Sequence, residues 1–179
     1  MSSNPCGSIV TNLQSGLLQG PNVVEVRRTV GDLSGYWLDP EAARQLADEV
    51  LYVTQTWLPI PEGTEGAVLW GNTTLMPGTV GDEYFMTRGH WHLKRDRGEL
   101  CVTTAGTGLL VLMDELGVTR FEEMSPGSTH YVPGHTAHRT VNNGAEPLVF
   151  LCAWPADCGH EYESILRDGF SQRVLRQDV

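Results

Sequence analysis

From residue 67 onward, glycine, proline or asparagine interrupts every apolar run before it reaches helix length. The runs between are rich in Val, Leu, Thr and aromatic residues: 67–76, 83–92, 99–104, 108–113, 118–123, 128–133, 138–142 and 147–154. Short β-prone segments with turn residues at each end predict an all-β sandwich or barrel. Asp114–Gly117 reads as a hairpin tip, and Ser125–Gly127 and Asn142–Gly144 as further turns.

Ahead of this region, 8–19 reads as a strand and turn and 23–30 as an alternating strand. Asp39, Pro40 and Glu41 supply an N-cap acid, a first-position proline and a first-turn acid. With Ala43, Leu46, Ala47, Val50 and Leu51 at helical spacing they predict one short helix near the N-terminus. Residues 52–57 read as a strand and 59–66 as a loop. In the tail, 160–179, the apolar residues Ile165, Leu166, Phe170, Val174 and Leu175 predict packing on the barrel. No repeat or linker divides the chain, so residues 1–179 are expected to form one domain.

Within that frame, residues 86–99 carry the chemistry. His90 and His92 are two apart, which on extended chain puts both imidazoles on one face. Residues 94–98 form a charged, glycine-containing turn that returns the chain to Glu99, and His138 offers a third imidazole from a later strand. Three imidazole nitrogens and one carboxylate suit a divalent first-row metal with positions left for water or substrate. One histidine alone would be an ordinary hydrogen-bonded residue; the pattern of four is what points to a metal.

The net charge of −10 argues against nucleic acid and acidic membranes as partners, and means that an anionic substrate needs a local cationic or amide-rich pocket. No apolar run is long enough for a membrane span, and residues 1–10 lack the pattern of a signal peptide. Cys6, Cys101, Cys152 and Cys158 show no zinc-type pairing. Cys101 and Cys152 lie in apolar runs, which suits buried thiols in a reducing cytoplasm.

The spacing His90-x-His92, Glu99 and Gly106 resembles the first cupin motif; Gly127, Pro133, His138 and Asn142 resemble the second, with His135 where a glycine is usual. The long gap from His92 to Glu99 is similar to that of cupin-type phosphoglucose isomerases. Further matching blocks are Thr73–Gly78, Thr87–His92, Met124–Gly127, Ala137–Asn142, Pro155–Tyr162, Arg27–Arg28 with Gly35–Tyr36, and Gly169–Ser171. The resemblance implies an all-β cupin jelly-roll barrel whose metal-binding core spans about 66–154. It further implies a cytoplasmic homodimer that interconverts glucose 6-phosphate and fructose 6-phosphate. The metal is typically iron(II), one ion per subunit, with manganese, zinc or nickel as alternatives.

Carried over residue by residue, His90, His92, Glu99 and His138 would bind the metal. Glu99 is the candidate to shuttle a proton between C1 and C2, with a metal-assisted hydride shift as the alternative if it stays bound. Thr73, Thr87 and the backbone at Gly89 would hold the phosphate, and His160 and Tyr162 would line the sugar site. Cys101 and Trp154 stand where the family usually has tyrosines. Lys94, Arg95 and Arg97 are expected to be a solvated turn, Arg139 to face away from His138, and His130 and His135 to lie at the surface or beside the ligands. The competing readings are a non-haem iron dioxygenase on the same ligands, an isomerase of a related phosphosugar, and a non-catalytic sugar-binding cupin.

Overall fold

The computed structural model describes residues 7–176; Cys6 and the last three residues lie outside them. In chain order the first strands are β1 (Val10–Thr11), β2 (Leu18–Gln19), β3 (Val23–Thr29), β4 (Val50–Trp57) and β5 (Val68–Leu75). Next come β6 (Thr79–Val80), β7 (Glu83–Tyr84), β8 (Trp91–His92), β9 (Glu99–Ala105) and β10 (Gly108–Asp114). The last are β11 (Thr119–Met124), β12 (Thr129–Val132), β13 (Thr136–Val141), β14 (Leu148–Pro155) and β15 (His160–Glu161). Two short helices complete the set, α1 (Pro40–Gln45) and α2 (Glu163–Asp168).

A six-stranded antiparallel sheet, ordered β12-β9-β14-β5-β4-β3, faces a three-stranded one, ordered β11-β10-β13. This is the all-β sandwich that the turn spacing predicts, in keeping with the jelly roll that the resemblance implies. Leu51, Leu75, Leu110, Leu112, Met124 and Leu148, all within 1% of full burial, fill the space between the sheets. Burying a leucine of this kind contributes roughly 1.5–3 kcal/mol. Local chemistry fixes the connections. Asp114 Oδ1 accepts the N–H groups of Leu116 and Val118, each at 2.9 Å, at the β10–β11 tip. Buried Asn142 donates its amide to the carbonyls of Leu75 and Glu146, so the turn after β13 is tied to the opposite sheet.

Three expectations are corrected. The helix does cap on Asp39, whose side chain accepts from Glu41 N and Ala42 N, but it ends at Gln45. Val50 and Leu51 open β4, where Val50 lies opposite Thr29; their helical spacing is that of a short turn followed by a strand. Second, 83–92 is not one strand. Only its ends join ladders, and single bridges tie Met86 to Val141 and His90 to His138. Gly89, at φ +73°, breaks the extension in a conformation that favours glycine.

Third, the tail contains α2, which the periodicity does not predict. Ile165 and Phe170 are buried, whereas Leu166 and Leu175 are exposed. His135, where the motif usually has glycine, adopts a left-handed φ of +58°, a region that histidine enters more readily than most residues.

Candidate active site

One end of the sandwich holds a cavity of about 240 Å³ whose wall includes His90, Glu99, His138, Thr73, Thr87, Gly89, His160 and Tyr162. His90 and His138 meet through a reciprocal pair of backbone hydrogen bonds, 3.1 and 3.0 Å. Their rings lie 4.3 Å apart between centroids. His92 follows on β8, and Glu99 opens β9 after the turn. One donor atom from each of His90, His92, Glu99 and His138 lies within 4.8 Å of the others.

Burial and hydrogen bonding prepare these groups as ligands. Nε2 of His90 and Nε2 of His92 are buried with no hydrogen-bond partner among the described residues. An orphaned buried nitrogen costs free energy, which a metal bond would recover. His92 Nδ1 lies 2.8 Å from the Arg97 carbonyl, an acceptor that puts the proton on Nδ1 and leaves the Nε2 lone pair facing inward. Glu99 Oε2 stands 3.4 Å from His92 Nε2 and 3.5 Å from His138 Nε2. Burial alone would raise the Glu99 pKa, but His138 and His92 overcome it and hold the carboxyl well below its usual range. Burial, helped by His138 and His160, holds His90 well below the ordinary histidine value and therefore neutral. Burial alone would lower the His92 pKa, but Glu99 and the Arg97 carbonyl raise it, so an ion there would displace a proton. The neutral His90, the ionised Glu99 and the orphaned nitrogens are of the donor types a divalent ion takes, so the residues fit one.

The remaining expected residues also converge. β15 pairs with β8 so that His160 is opposite His92. The His160 ring lies 4.4 Å from that of His90 and stacks on Tyr162 at 5.9 Å. Thr87 Oγ1 accepts the Thr140 N–H at 3.0 Å, which leaves its own proton to donate into the cavity. Backbone bonds from Thr87 N and His90 N to β13 flank Gly89, whose amide is uncommitted among the described residues. A side chain there would strike Phe170 and Arg139 at 2.8 and 3.0 Å, so only glycine permits this approach. Cys101 and Trp154 both line the cavity, and the Trp154 indole lies across Gly71.

Some side chains behave differently from expectation. Lys94 and Arg97 are not simply solvated: Lys94 Nζ (2.7 Å) and Arg97 Nη2 (2.9 Å) clamp the buried carboxylate of Asp157. Arg95 stacks on Trp91, 4.3 Å from its centroid. His130 is buried between Ser128 Oγ and Glu122, at 2.8 Å from each, rather than at the surface or beside the ligands. Arg139, expected only to face away from His138, is not contrary to that: it is buried over the Phe170 ring, with Nη2 donating to the Arg88 carbonyl at 2.8 Å.

Arg88 is a site residue that the motif spacing does not single out. It lines the cavity with its guanidinium 5.0 Å from the Tyr162 ring centroid, and its Nε is buried without a partner among the described residues. Its place between Thr87 and Gly89 is the available signal, because an acidic chain needs a local cation to hold an anion.

A family model described as glucose-6-phosphate isomerase matches residues 27–178. The chain is 39% identical over 99% of its length to a glucose-6-phosphate isomerase of Pyrococcus horikoshii, covering 93% of that protein. It is 41% identical over 93% of its length to one of Thermococcus kodakarensis, covering 87% of that protein. A solved structure of oxalate decarboxylase from Bacillus subtilis is similar at 22% identity and a TM-score of 0.46, over 61% of this chain and 26% of that one. This chain spans about a quarter of the decarboxylase chain, and that likeness is too low to bear on function.

Proposed function

The chain belongs to the glucose-6-phosphate isomerase family, and from that premise we propose that it interconverts glucose 6-phosphate and fructose 6-phosphate with a divalent ion held by His90, His92, Glu99 and His138. The observation that carries the metal-dependent form of this reading is the convergence of four donors with two orphaned imidazole nitrogens. Iron(II) is the ion we favour; manganese, zinc and nickel suit the same donors. A bound ion supplies Lewis-acid polarisation of the carbonyl and adjacent hydroxyl oxygens.

The protein's own groups supply the rest. Glu99 is the proposed proton carrier between C1 and C2. Its Oε2 faces the imidazoles while Oε1 turns the other way, toward Cys101 at 3.3 Å. One oxygen can therefore serve as a ligand while the other remains a base, which eases the usual loss of basicity on cation binding. Thr87, Thr73 and the Gly89 amide are placed to bind the phosphate, and Arg88 adds the charge the acidic chain must provide locally. His160, neutral because burial lowers its pKa, and Tyr162 orient the sugar hydroxyls and cover the reacting carbons.

We take the working unit to be a cytoplasmic homodimer. Val24 and Val26, exposed at 46% and 38% on edge strand β3, give apolar surface for a second copy. No described helix is long and apolar enough to cross a membrane.

The test is a coupled assay with fructose 6-phosphate and glucose-6-phosphate dehydrogenase, on protein stripped by a chelator and then reloaded. Activity should vanish on stripping and return with iron(II) or manganese. Full activity with the ion demonstrably gone would remove the metal from the reaction, and no activity in any loaded form would remove this substrate pair.

A further inference from the structure

Glu99 offers its two oxygens to two different donor sets. Oε2 faces His92 and His138, while Oε1 meets Cys101 Sγ at 3.3 Å. Cys101 lies directly opposite Cys152 across the β9–β14 ladder, a relation that brings Cα atoms to roughly 4.5–5.5 Å. Donor atoms of Glu99, Cys101 and Cys152 all lie within 4.8 Å of one another. The three residues are buried and line the cavity that holds the imidazoles, so an ion entering for one set reaches the other. The proposed isomerisation uses neither thiol.

Two sulfurs and a carboxylate oxygen are the donors of a soft-metal site, since thiolates select d¹⁰ and other thiophilic ions where oxygen ligands do not. Before an ion enters, only Glu99 carries charge, and Cys101 donates its S–H to Glu99 Oε1; a thiophilic ion takes the place of the thiol protons.

We propose that Cys101, Cys152 and Glu99 Oε1 form a second cation site for a thiophilic ion, such as cadmium, zinc or copper(I), with Glu99 as the carboxylate shared between the two sites. On binding, two S–H bonds break, two metal–sulfur bonds form and two protons pass to solvent; no electrons are exchanged. Three protein donors leave a fourth position for water. A soft ion here occupies the Glu99 oxygen proposed above as the base.

The test uses the full chain, stripped of metal and titrated with cadmium alone, following thiolate-to-cadmium absorption in the ultraviolet and proton release into weak buffer. The wild type should show the absorption, saturating at one sulfur-bound ion per chain with two protons released. His90→Ala should retain the signal, and the double variant Cys101→Ala/Cys152→Ala should lose it. Absence of the band in the wild type, or its persistence in a folded double variant, would overturn the site. X-ray absorption at the cadmium edge tests the wild type without mutation: sulfur neighbours support the site, and only nitrogen and oxygen neighbours at saturation defeat it. None of these readouts involves a sugar, so this site and the isomerase reading stand or fall separately.

Discussion

Nδ1 of His92 sits 2.8 Å from the carbonyl oxygen of Arg97, so the turn that leads from His92 to Glu99 also sets the tautomer of His92. The Arg97 guanidinium in turn reaches Asp157, with Nε at 3.2 Å and Nη2 at 2.9 Å, and Lys94 joins it at 2.7 Å. Asp157 is not among the four donors, yet it holds the turn that presents two of them. Asp157→Asn should therefore weaken metal binding about tenfold, on the scale of losing an outer support of a ligand. Calorimetric titration of stripped protein measures this, and unchanged affinity would mean the turn holds its shape unaided.

The same carboxylate gives a pH dependence. Its hydrogen bonds to Arg97 and Lys94 hold the Asp157 pKa well below the usual carboxylate range. The unfolded chain protonates this group near pH 4. Because the folded value is depressed, the stabilisation is fully present above that pH and is lost as pH falls through the folded pKa. Denaturant unfolding at a series of pH values should show a constant gap between wild type and Asp157→Asn above about pH 4, narrowing in stronger acid. A gap that widens in acid would mean the sign is wrong.

Removing an imidazole should separate the metal from the fold. His90→Ala and His138→Ala lose a donor while the leucine core between the sheets is untouched. Both should purify as folded protein, by circular dichroism, with metal content far below wild type. Wild-type occupancy in both variants would dissociate these residues from the ion.

One substitution pair can distinguish the structural hydrogen bond of Thr87 from the role proposed for it toward the substrate. Its oxygen accepts from Thr140 N, and its proton is the group proposed to meet the substrate. Thr87→Val should lower stability by about 1 kcal/mol, the usual net value of such a bond, and raise KM for fructose 6-phosphate. Thr87→Ser restores the hydroxyl and should recover both. If serine recovers stability and leaves KM high, the hydroxyl serves the fold only.

Arg88 should matter to the phosphate and not to the ion. Hydrogen bonds to charged groups contribute about 1.5–3 kcal/mol, so Arg88→Met should raise KM by roughly one to two orders of magnitude, with metal content unchanged. Steady-state kinetics beside elemental analysis decides this. An unchanged KM would return the phosphate wholly to the threonines and backbone.

The barrel is legible in the sequence because turn residues punctuate its strands, and the convergence of His90, His92, Glu99 and His138 because the first two repeat at the strand period and a turn returns the chain to Glu99. The helix end is not. Val50 and Leu51 carry apolar spacing that fits α1 as well as it fits a strand, and the ladder partner that decides, Thr29, is remote in sequence. α2 is six residues long and carries one buried side chain, Ile165, too few positions to establish a period. His130 and the Lys94/Arg97 clamp escape prediction because burial of a polar residue depends on its partner, and neither Glu122 nor Asp157 is marked as such by spacing. Arg88 sits inside the motif and lacks only its environment in the sequence, a wall where Tyr162 and an orphaned Nε show it facing a cavity.

The pairing of β8 with β15 has a consequence for how the cavity is walled. The four candidate donors lie within residues 90–138, whereas the wall around them is completed from β14, by Phe150, Cys152 and Trp154, and then by His160 and Tyr162. That last part is joined to β8 by a ladder of two residue pairs, His160 opposite His92 and Glu161 opposite Trp91. The C-terminal third of the chain therefore shapes a site to which it contributes none of the four candidate donors but His138.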